Sequence, residues 1–428
     1  MNIERLYQLF LKSDGISTDT RKLKEGSIFF ALKGGNFNGN KFAEDALKGG
    51  CQFAVIDEKE YKLDERFILV DDVLVALQQL ANHHRKQFDI PIIGITGSNG
   101  KTTSKELMGA VLEQKYKALI TEGNLNNHLG VPFTLLRLTK EHEIAIIEMG
   151  ANKPGDIKEL AEIAEPTHGV ITNIGAAHIE GFGSLEGVVK TKTELYRFIE
   201  QAKGTIIYNG DDKTLVDNLP EGLKYFTYGS TQVNLTGDLL KLTPYVHFQW
   251  AYGEYHSPEL KTKLVGRYNF TNFLLAVAIG KLFEVDDEVI NEALTTYVPS
   301  NNRSQVSETD RNTLIVDCYN ANATSMKAAI ESFSEIDHDN KMVILGDMLE
   351  LGSISEQEHQ KIVDLLQKLS IEKALLVGTE FQKVLGDYPI YVDWKSLIDD
   401  VGLSNLKDHL ILLKGSRGIK LEELIQYL

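Results

Sequence analysis

At 428 residues, with 43% hydrophobic and 25% charged side chains, the chain has apolar material for roughly two to four ordinary domains. A formal net charge of −16 excludes a broad basic face that wraps nucleic acid, while leaving room for a local anion site built from backbone N–H groups and one or two cations. Cys51 and Cys318 are too widely separated to found a disulfide framework, no run of about 18 apolar residues reads as a membrane span, and Glu4 and Arg5 interrupt the first segment in a way no signal peptide tolerates. The expectation is a cytoplasmic chain with no membrane insertion.

Residues 1–88 read as a small α/β unit, with strands at 27–32, 53–56 and 67–70 and helices at 42–48 and 72–87. From residue 89 the pattern becomes strand-then-helix, with strands at 92–96, 144–148, 169–173 and 205–209. Short apolar runs separated by helices predict a doubly wound, mainly parallel sheet. Residues 223–265 break this rhythm: Val246, Phe248, Trp250 and Tyr252 alternate with Tyr245, His247, Gln249 and Ala251, the period of an antiparallel patch laid beside the main sheet. A helix at 272–283 follows. A third unit, 299–428, is again α/β, with strands at 313–317, 341–345, 374–377 and 410–413 and helices at 326–333, 356–369 and 421–428. The predicted division is 1–88, 89–298 and 299–428, and in such sheets ligands sit beyond the carboxyl ends of the strands.

One such strand end dominates the reading. Ile92 to Thr96 runs into Gly97-Ser98-Asn99-Gly100-Lys101-Thr102-Thr103, and a helix with Leu107, Met108, Val111 and Leu112 on one face follows. A glycine turn at a helix start aims backbone N–H groups into one concavity, and Lys101 adds a full charge. A polyphosphate uses that combination, with the Thr102 hydroxyl where a Mg²⁺ ligand is expected. The turn is a P-loop variant: Ile95 stands where the commoner spacing has glycine, and the glycines are Gly94 and Gly97.

Other strand ends offer candidates, each with a plainer alternative. Glu148 suits a metal ion or a helix cap. His178 and Lys192 follow the strand at 169–173, and spacing alone does not pair them. Asn124, Asn126, Asn127, Asn269 and Asn272 suit either turns and caps or amide recognition of a base or a peptide. Asp317 suits a ribose hydroxyl or an N-cap, and Lys414, Ser416 and Arg417 suit a carboxylate clamp or an exposed basic turn. Asp347 and Glu350 suit turn duties as well as substrate contact.

Taken together, the segments 96–103, 148–151, 175–195, 302–305, 317–322 and 345–352 resemble the Mur ligases of bacterial cell-wall synthesis, and within that family the branch that adds D-alanyl-D-alanine to UDP-N-acetylmuramoyl-tripeptide. The resemblance implies a three-domain fold: a UDP-binding unit, a central P-loop domain and a C-terminal Rossmann-like domain that closes over ATP and takes the incoming dipeptide. It implies that Gly97, Ser98, Asn99, Gly100, Lys101, Thr102 and Thr103 hold phosphates, and that Asn269 and Asn272 meet the adenine. Arg303, Asp317 and Asn320 would reach the nucleotide from the third unit. Two Mg²⁺ ions are implied, on Thr102, Glu148, His178 and Lys192, the last matching the family's carbamylated lysine. Lys101, Glu148, His178 and Lys192 are the implied catalytic set. Thr18, Asp19, Arg21, Asn126 and Asn127 are assigned to the UDP substrate, and Lys414, Ser416 and Arg417 to D-alanyl-D-alanine. The chain departs from the family pattern at Asn38-Gly39-Asn40, Tyr268 and Cys318. Family resemblance further implies a monomer. Folylpolyglutamate synthase, a relative with the same ATP chemistry, and a non-catalytic nucleotide-binding scaffold are the competing readings, and whether the acceptor's third residue is diaminopimelate or lysine is left open.

Overall fold

The computed structural model describes residues 2–176, 179–242, 244–299 and 303–428. Among them the strands form three main sheets. The first is a four-stranded parallel sheet ordered Ile16–Ser17, Ile28–Phe30, Phe53–Ile56, Phe67–Leu69. Its companion helix, Val73–Arg85, starts where Asp72 accepts a hydrogen bond from the Val75 N–H. That helix buries Leu77, Leu80 and Ala81 in one apolar cluster with Leu135, Ala161 and Ala164 of the next unit. Arg85 Nε donates to the Ala164 carbonyl at 3.0 Å, and Gln78 Nε2 to Glu159 Oε1 at 2.7 Å. The first and middle units therefore share a continuous core, although their sheets are separate.

The middle sheet has ten strands. Third from one edge, Ile92–Thr96 lies between Ile144–Glu148 and His168–Ile171, parallel to both. The chain leaves Ile92–Thr96 toward one side, through Ala118–Ile120 and Ile144–Glu148, then crosses to His168–Ile171 on the other. The end of Ile92–Thr96 is thus a topological switch point, where a crevice opens above the sheet. Every residue of that strand is buried, which explains its unbroken apolar run.

The residues read as an antiparallel patch beside the sheet are a continuation of it. Lys224–Gly229 pairs in parallel with Thr205–Asn209, Leu235–Lys241 pairs in parallel with Lys224–Gly229, and only from Tyr245–Tyr252 onward is the pairing antiparallel. An open sheet edge presents unpaired N–H and C=O groups, and this extension satisfies them. The alternation of Val246, Phe248 and Trp250 inward holds, while Tyr252 is exposed. The following helix, Tyr268–Leu282, begins four residues before the apolar run that marked it, just after Gly266 turns the chain with φ +94.

The third sheet has six strands ordered Gln305–Glu308, Thr313–Asp317, Leu410–Lys414, Lys341–Gly346, Ala374–Val377, Ile390–Tyr391. The last strand in sequence inserts in the middle and brings Asp317 beside Lys414 in register. The expected α-helix over 421–428 is instead a run of 3-10 turns, Leu421–Tyr427. Leu421 and Leu424, three apart, are its buried residues, a spacing that suits three residues per turn. Among the described residues no helix is long and apolar enough to cross a membrane.

His168 is half-buried on its strand, its ring centroid 5.1 Å from that of Phe283, and burial lowers its pKa to about 4. In the unfolded chain a histidine titrates near ~6.5. The unfolded state therefore takes up a proton that the native state refuses as pH falls between these values. Native stability should fall across that window, and His168→Gln should flatten the fall; denaturant midpoints at pH 7 and pH 4.5 measure it.

Candidate active site

The glycine turn is shaped by the neighbouring strand end. Gly97 has φ +143, and a Cβ there would lie 2.0 Å from Thr172 Oγ1, so glycine is required twice over, by backbone angle and by space. Thr172 Oγ1 donates to the Asn99 carbonyl at 2.6 Å. Asn173 clamps the same peptide from both sides, accepting from the Asn99 N–H at 3.0 Å and donating through Nδ2 to its carbonyl at 3.0 Å. Ser98 Oγ bridges the peptide groups of Gly175. Gly100, at φ +80, opens the helix Lys101–Leu112, and no side chain caps that helix start. Its first N–H groups and its dipole are aimed at the cavity. Gly97→Ala is expected to lower the affinity for an ATP analogue by about five- to 150-fold, through a loop strain of about 1–3 kcal/mol; isothermal titration calorimetry reads it.

Lys101 curls over the turn, donating to the carbonyls of Gly97 at 2.7 Å and Ser98 at 3.2 Å. Burial lowers its pKa to about 8, opposed by Glu148 and assisted by the nearby Arg303. Glu148 ends the adjacent strand and is 1% exposed. Its carboxylate accepts from Thr102 Oγ1 at 3.0 Å and from Asn126 Nδ2 at 2.8 Å, and the Lys105 ammonium lies 3.6 Å away. Lys105 is itself 2% exposed, so this is a buried ion pair beside the loop.

Lys192 is buried beneath the same region, its ammonium 5.6 Å from the Phe182 ring centroid. Burial first, and the Lys101 charge second, push its pKa well below the ordinary lysine value. Burial of this kind favours the neutral amine, which is the nucleophilic form of a lysine. His178 lies outside the described residues.

A cavity of about 570 Å³ gathers these groups. Its floor is Ser98, Asn99, Gly100, Lys101, Thr102 and Thr103; Glu148, Asn126 and Asn127 line one side. Asn269 and Asn272 line another, in a buried chain in which Asn269 Nδ2 donates to the Val265 carbonyl, Asn272 Nδ2 to Asn269 Oδ1, and Ser104 Oγ to Asn272 Oδ1. The third unit supplies Arg303, Asp317, Asn320 and Lys414. The Arg303 guanidinium stacks 3.8 Å from the Tyr319 ring centroid, and its buried Nε has no hydrogen-bond partner among the described residues. A stacked guanidinium with an orphaned donor beside a phosphate-shaped loop is built to receive an anion.

Several sequence-derived candidates sit differently from the expected clamp. Lys414 is 1% exposed and ion-paired with Asp317 at 2.6 Å. Ser416 Oγ is occupied by the Leu349 N–H and the Ala321 carbonyl, which leaves Arg417 as the exposed member of the three. Gly97, Lys192, Ser416 and Arg417 do not line the cavity, nor do Thr18, Asp19 and Arg21 in the first unit. Asp19 caps its own turn and pairs with Arg21, whose hydrogen bonds lower its pKa to about 2. Asn40, at one of the family departures, ties its loop to the carboxylate and N–H of Asp57. Asp347 is a buried turn cap, accepting from the N–H groups of Glu380 and Phe381, with His359 3.7 Å away.

Sequence reasoning missed Lys105, Asn173, Tyr319 and Asn322 as parts of the site. Lys105 had a signal, since it shares a helix face with Lys101 at i,i+4. Asn322 had the N-cap spacing to Ser325. Asn173 and Tyr319 had none, because their partners arrive from other strands.

The residues present fit a hard divalent cation at Thr102 and Glu148: one carboxylate and one hydroxyl oxygen, hydrogen-bonded to each other beside the glycine turn. Among the described residues no group of three or more His, Cys, Asp or Glu is assembled for a metal.

Comparisons with known proteins follow the same outline. Models of the Mur ligase family, catalytic domain, of the Mur ligase middle domain and of the Mur ligase, glutamate ligase domain match residues 12–85, 95–280 and 302–417. The chain is 35% identical over 429 residues to the UDP-N-acetylmuramoyl-tripeptide–D-alanyl-D-alanine ligase of Bacillus subtilis (strain 168), covering 96% of this chain and 92% of that one. It is 33% identical over 427 residues to the Escherichia coli (strain K12) protein of the same name, with 97% and 93% covered. A crystal structure of MurF from Acinetobacter baumannii superposes with a TM-score of 0.88 at 30% identity, covering 99% of this chain and 98% of that one.

Proposed function

Since this chain belongs to the Mur ligase family, we propose that it joins D-alanyl-D-alanine to UDP-N-acetylmuramoyl-tripeptide at the expense of ATP, in the cytoplasmic synthesis of peptidoglycan precursors. One observation supports the reading: the helix start with Lys101 in the middle unit and Arg303 from the third line one cavity. The near full-length match to D-alanyl-D-alanine ligases favours this acceptor over the folate of a folylpolyglutamate synthase.

A carboxylate is a poor electrophile, so it must be activated before an amine can attack. The tripeptide's terminal carboxylate oxygen bonds to the γ-phosphorus of ATP, and the bond to the bridging oxygen of ADP breaks. The amine of D-alanyl-D-alanine then attacks the acyl carbon, phosphate departs, and the amine's surplus proton passes to solvent or a nearby base. Lys101 and the loop N–H groups hold the β- and γ-phosphates, and Arg303 meets charge growing on the transferred group. Asn269 and Asn272 border the adenine side; Asp317 and Asn320 border the ribose.

Thr102 and Glu148 would hold one Mg²⁺, and Lys192, once carbamylated, would join His178 at a second. Bound there, Mg²⁺ supplies positive charge to the phosphoryl oxygens. Asn126 and Lys105 orient the Glu148 carboxylate. Asn127 and Asn126 begin the path toward the UDP substrate, which Thr18, Asp19 and Arg21 continue in the first unit. Arg417, exposed beyond the last strand, is placed to meet the dipeptide carboxylate, with Lys414 and Ser416 setting its turn. The same reading divides the chain into a UDP-binding unit (1–88), an ATP-binding unit (89–298) and a closing unit (299–428), acting as a monomer.

Phosphate release tests it. Release should require ATP, Mg²⁺, UDP-N-acetylmuramoyl-tripeptide and D-alanyl-D-alanine together. Release driven instead by a folate and glutamate, or absent with every acceptor, would overturn the assignment. Running the diaminopimelate and lysine forms side by side identifies the third residue.

A further inference from the structure

Val265 of the middle unit joins the core of the third, with Tyr245 and Tyr268 packed against it. Around that apolar contact the boundary is polar, and several of its hydrogen bonds fall on one helix, Ala323–Ser334, and its N-cap. At the start of that helix, Asn322 is the N-cap: its Oδ1 accepts from the Ser325 N–H at 2.9 Å, and its own N–H donates to Ser325 Oγ at 3.1 Å. Capping uses the oxygen and leaves the amide nitrogen, and Asn322 Nδ2 donates across the boundary to Asn99 Oδ1, in the glycine turn, at 2.8 Å. Beside this bond a Cβ on Gly175 would come 3.0 Å from Thr324 Oγ1, so the two units are in contact there. At the other end of the helix, the Arg267 N–H donates to Ser332 Oγ, and Arg267 Nη2 pairs with Glu335 at 2.9 Å.

The helix has 12 residues, so it is a lever of ~18 Å with one end held near the chain's crossing between units. A rotation of ~10° about that end moves Asn322 by ~3 Å, enough to break its bond to Asn99. Asn99, for its part, is held in register by Thr172 and Asn173, which also shape the turn around Gly97. We propose that Asn322 is a positioning residue that latches the third unit onto the glycine turn through Asn99, so that closure is favoured when the turn has its ligand-holding shape. This rests on the nucleotide reading of the turn given above. It adds a direct connection between turn geometry and closure that passes through no substrate contact.

The test uses the full chain labelled at Lys213→Cys and Lys361→Cys, both exposed and in different units, with single-molecule energy transfer reporting open and closed populations. Asn322→Ser keeps a good N-cap but is too short to reach Asn99. With ADP and Mg²⁺ bound, it should shift the closed-to-open ratio by about three- to tenfold toward open, the scale of one neutral hydrogen bond. Its melting temperature should not change. Asn99→Ala should give the same shift, and the double variant no more than either single. Gly175→Val, which wedges Thr324 away from the opposite side, should also open the protein. Unchanged closure in Asn322→Ser, or additive single effects, would overturn the latch. Should Asn322→Ser melt lower, Asn99→Ala, which leaves the helix cap untouched, decides alone. A wild-type protein with no calorimetric signal for ADP would instead defeat the nucleotide reading itself.

Discussion

Replacing Lys101 with alanine is expected to lower ligase turnover by about 10³-fold or more while leaving UDP-substrate binding intact. The magnitude is that of removing a preorganised charge from a dry site where negative charge develops. Lys101 is the cation of the turn itself, its ammonium held 2.7 Å from the Gly97 carbonyl. The fold should not suffer. Burial lowers the Lys101 pKa to about 8, below the ~10.4 of an unfolded lysine. A depressed lysine pKa means that the native state pays to keep the proton, a penalty fully present below about pH 8 and fading as pH rises toward ~10.4. At pH 7 the alanine protein should therefore melt no lower on account of the lost charge. Steady-state phosphate release, calorimetry with the UDP substrate and thermal melts separate these effects. Ordinary activity in Lys101→Ala would remove the phosphate role.

Lys192→Ala should abolish most activity, by about 10²-fold or more, and short carboxylates such as formate or acetate should restore part of it. The chemistry follows from burial. At 2% exposure, and with Lys101 adding like charge, the ammonium form is disfavoured, and the neutral amine can add to carbon dioxide. The N–C bond forms, the amine proton leaves, and a cation becomes a carboxylate of the kind a metal ion accepts. A small carboxylate diffusing into the space left by the side chain can replace that group; Lys192→Met, which fills the space, should not be rescued. A ¹³C carbamate resonance in wild-type protein kept under ¹³CO₂, absent in Lys192→Ala, gives a readout independent of turnover. A fully active Lys192→Ala enzyme would leave the lysine without a catalytic part.

The turn's geometry was legible from residues 92–103 alone, because a strand, a glycine turn and a helix in succession are a local object. Its strand, its positive-φ glycines and its helix are consecutive, and the conformations they adopt depend on neighbours a few residues away. Glu148 was legible for a related reason: a carboxylate that ends a buried strand next to the loop strand has few other places to be. Lys414 shows the limit. Its position after the last strand pointed to a clamp for a carboxylate, and the substrate was taken to provide that carboxylate. The structure pairs it with Asp317, because the last strand of the chain inserts beside Thr313–Asp317 rather than at the sheet edge. Strand order is a long-range choice, and no window of sequence contains it.

The extension of the middle sheet repeats the lesson. Alternation at 245–252 identified a strand, yet could not say that Lys224–Gly229 and Leu235–Lys241 would first continue the parallel sheet. Hydrophobic period reports which face of an element is buried, and says nothing of which neighbour buries it.

What the sequence determined by itself was therefore the local structure: a glycine turn at residue 97 opening a helix, a carboxylate at the strand end at 148, α/β units in series, and the motif order that marks the family. Tertiary structure alone decided the pairings across distance: Lys105 with Glu148, Asp317 with Lys414, Arg303 stacked on Tyr319, and Asn322 reaching Asn99. The physical reason is one of range. Backbone angles, caps and periodicity are set by residues within a turn or two, whereas a contact between residues 223 positions apart exists only after the sheets have chosen their strand order and the units have docked.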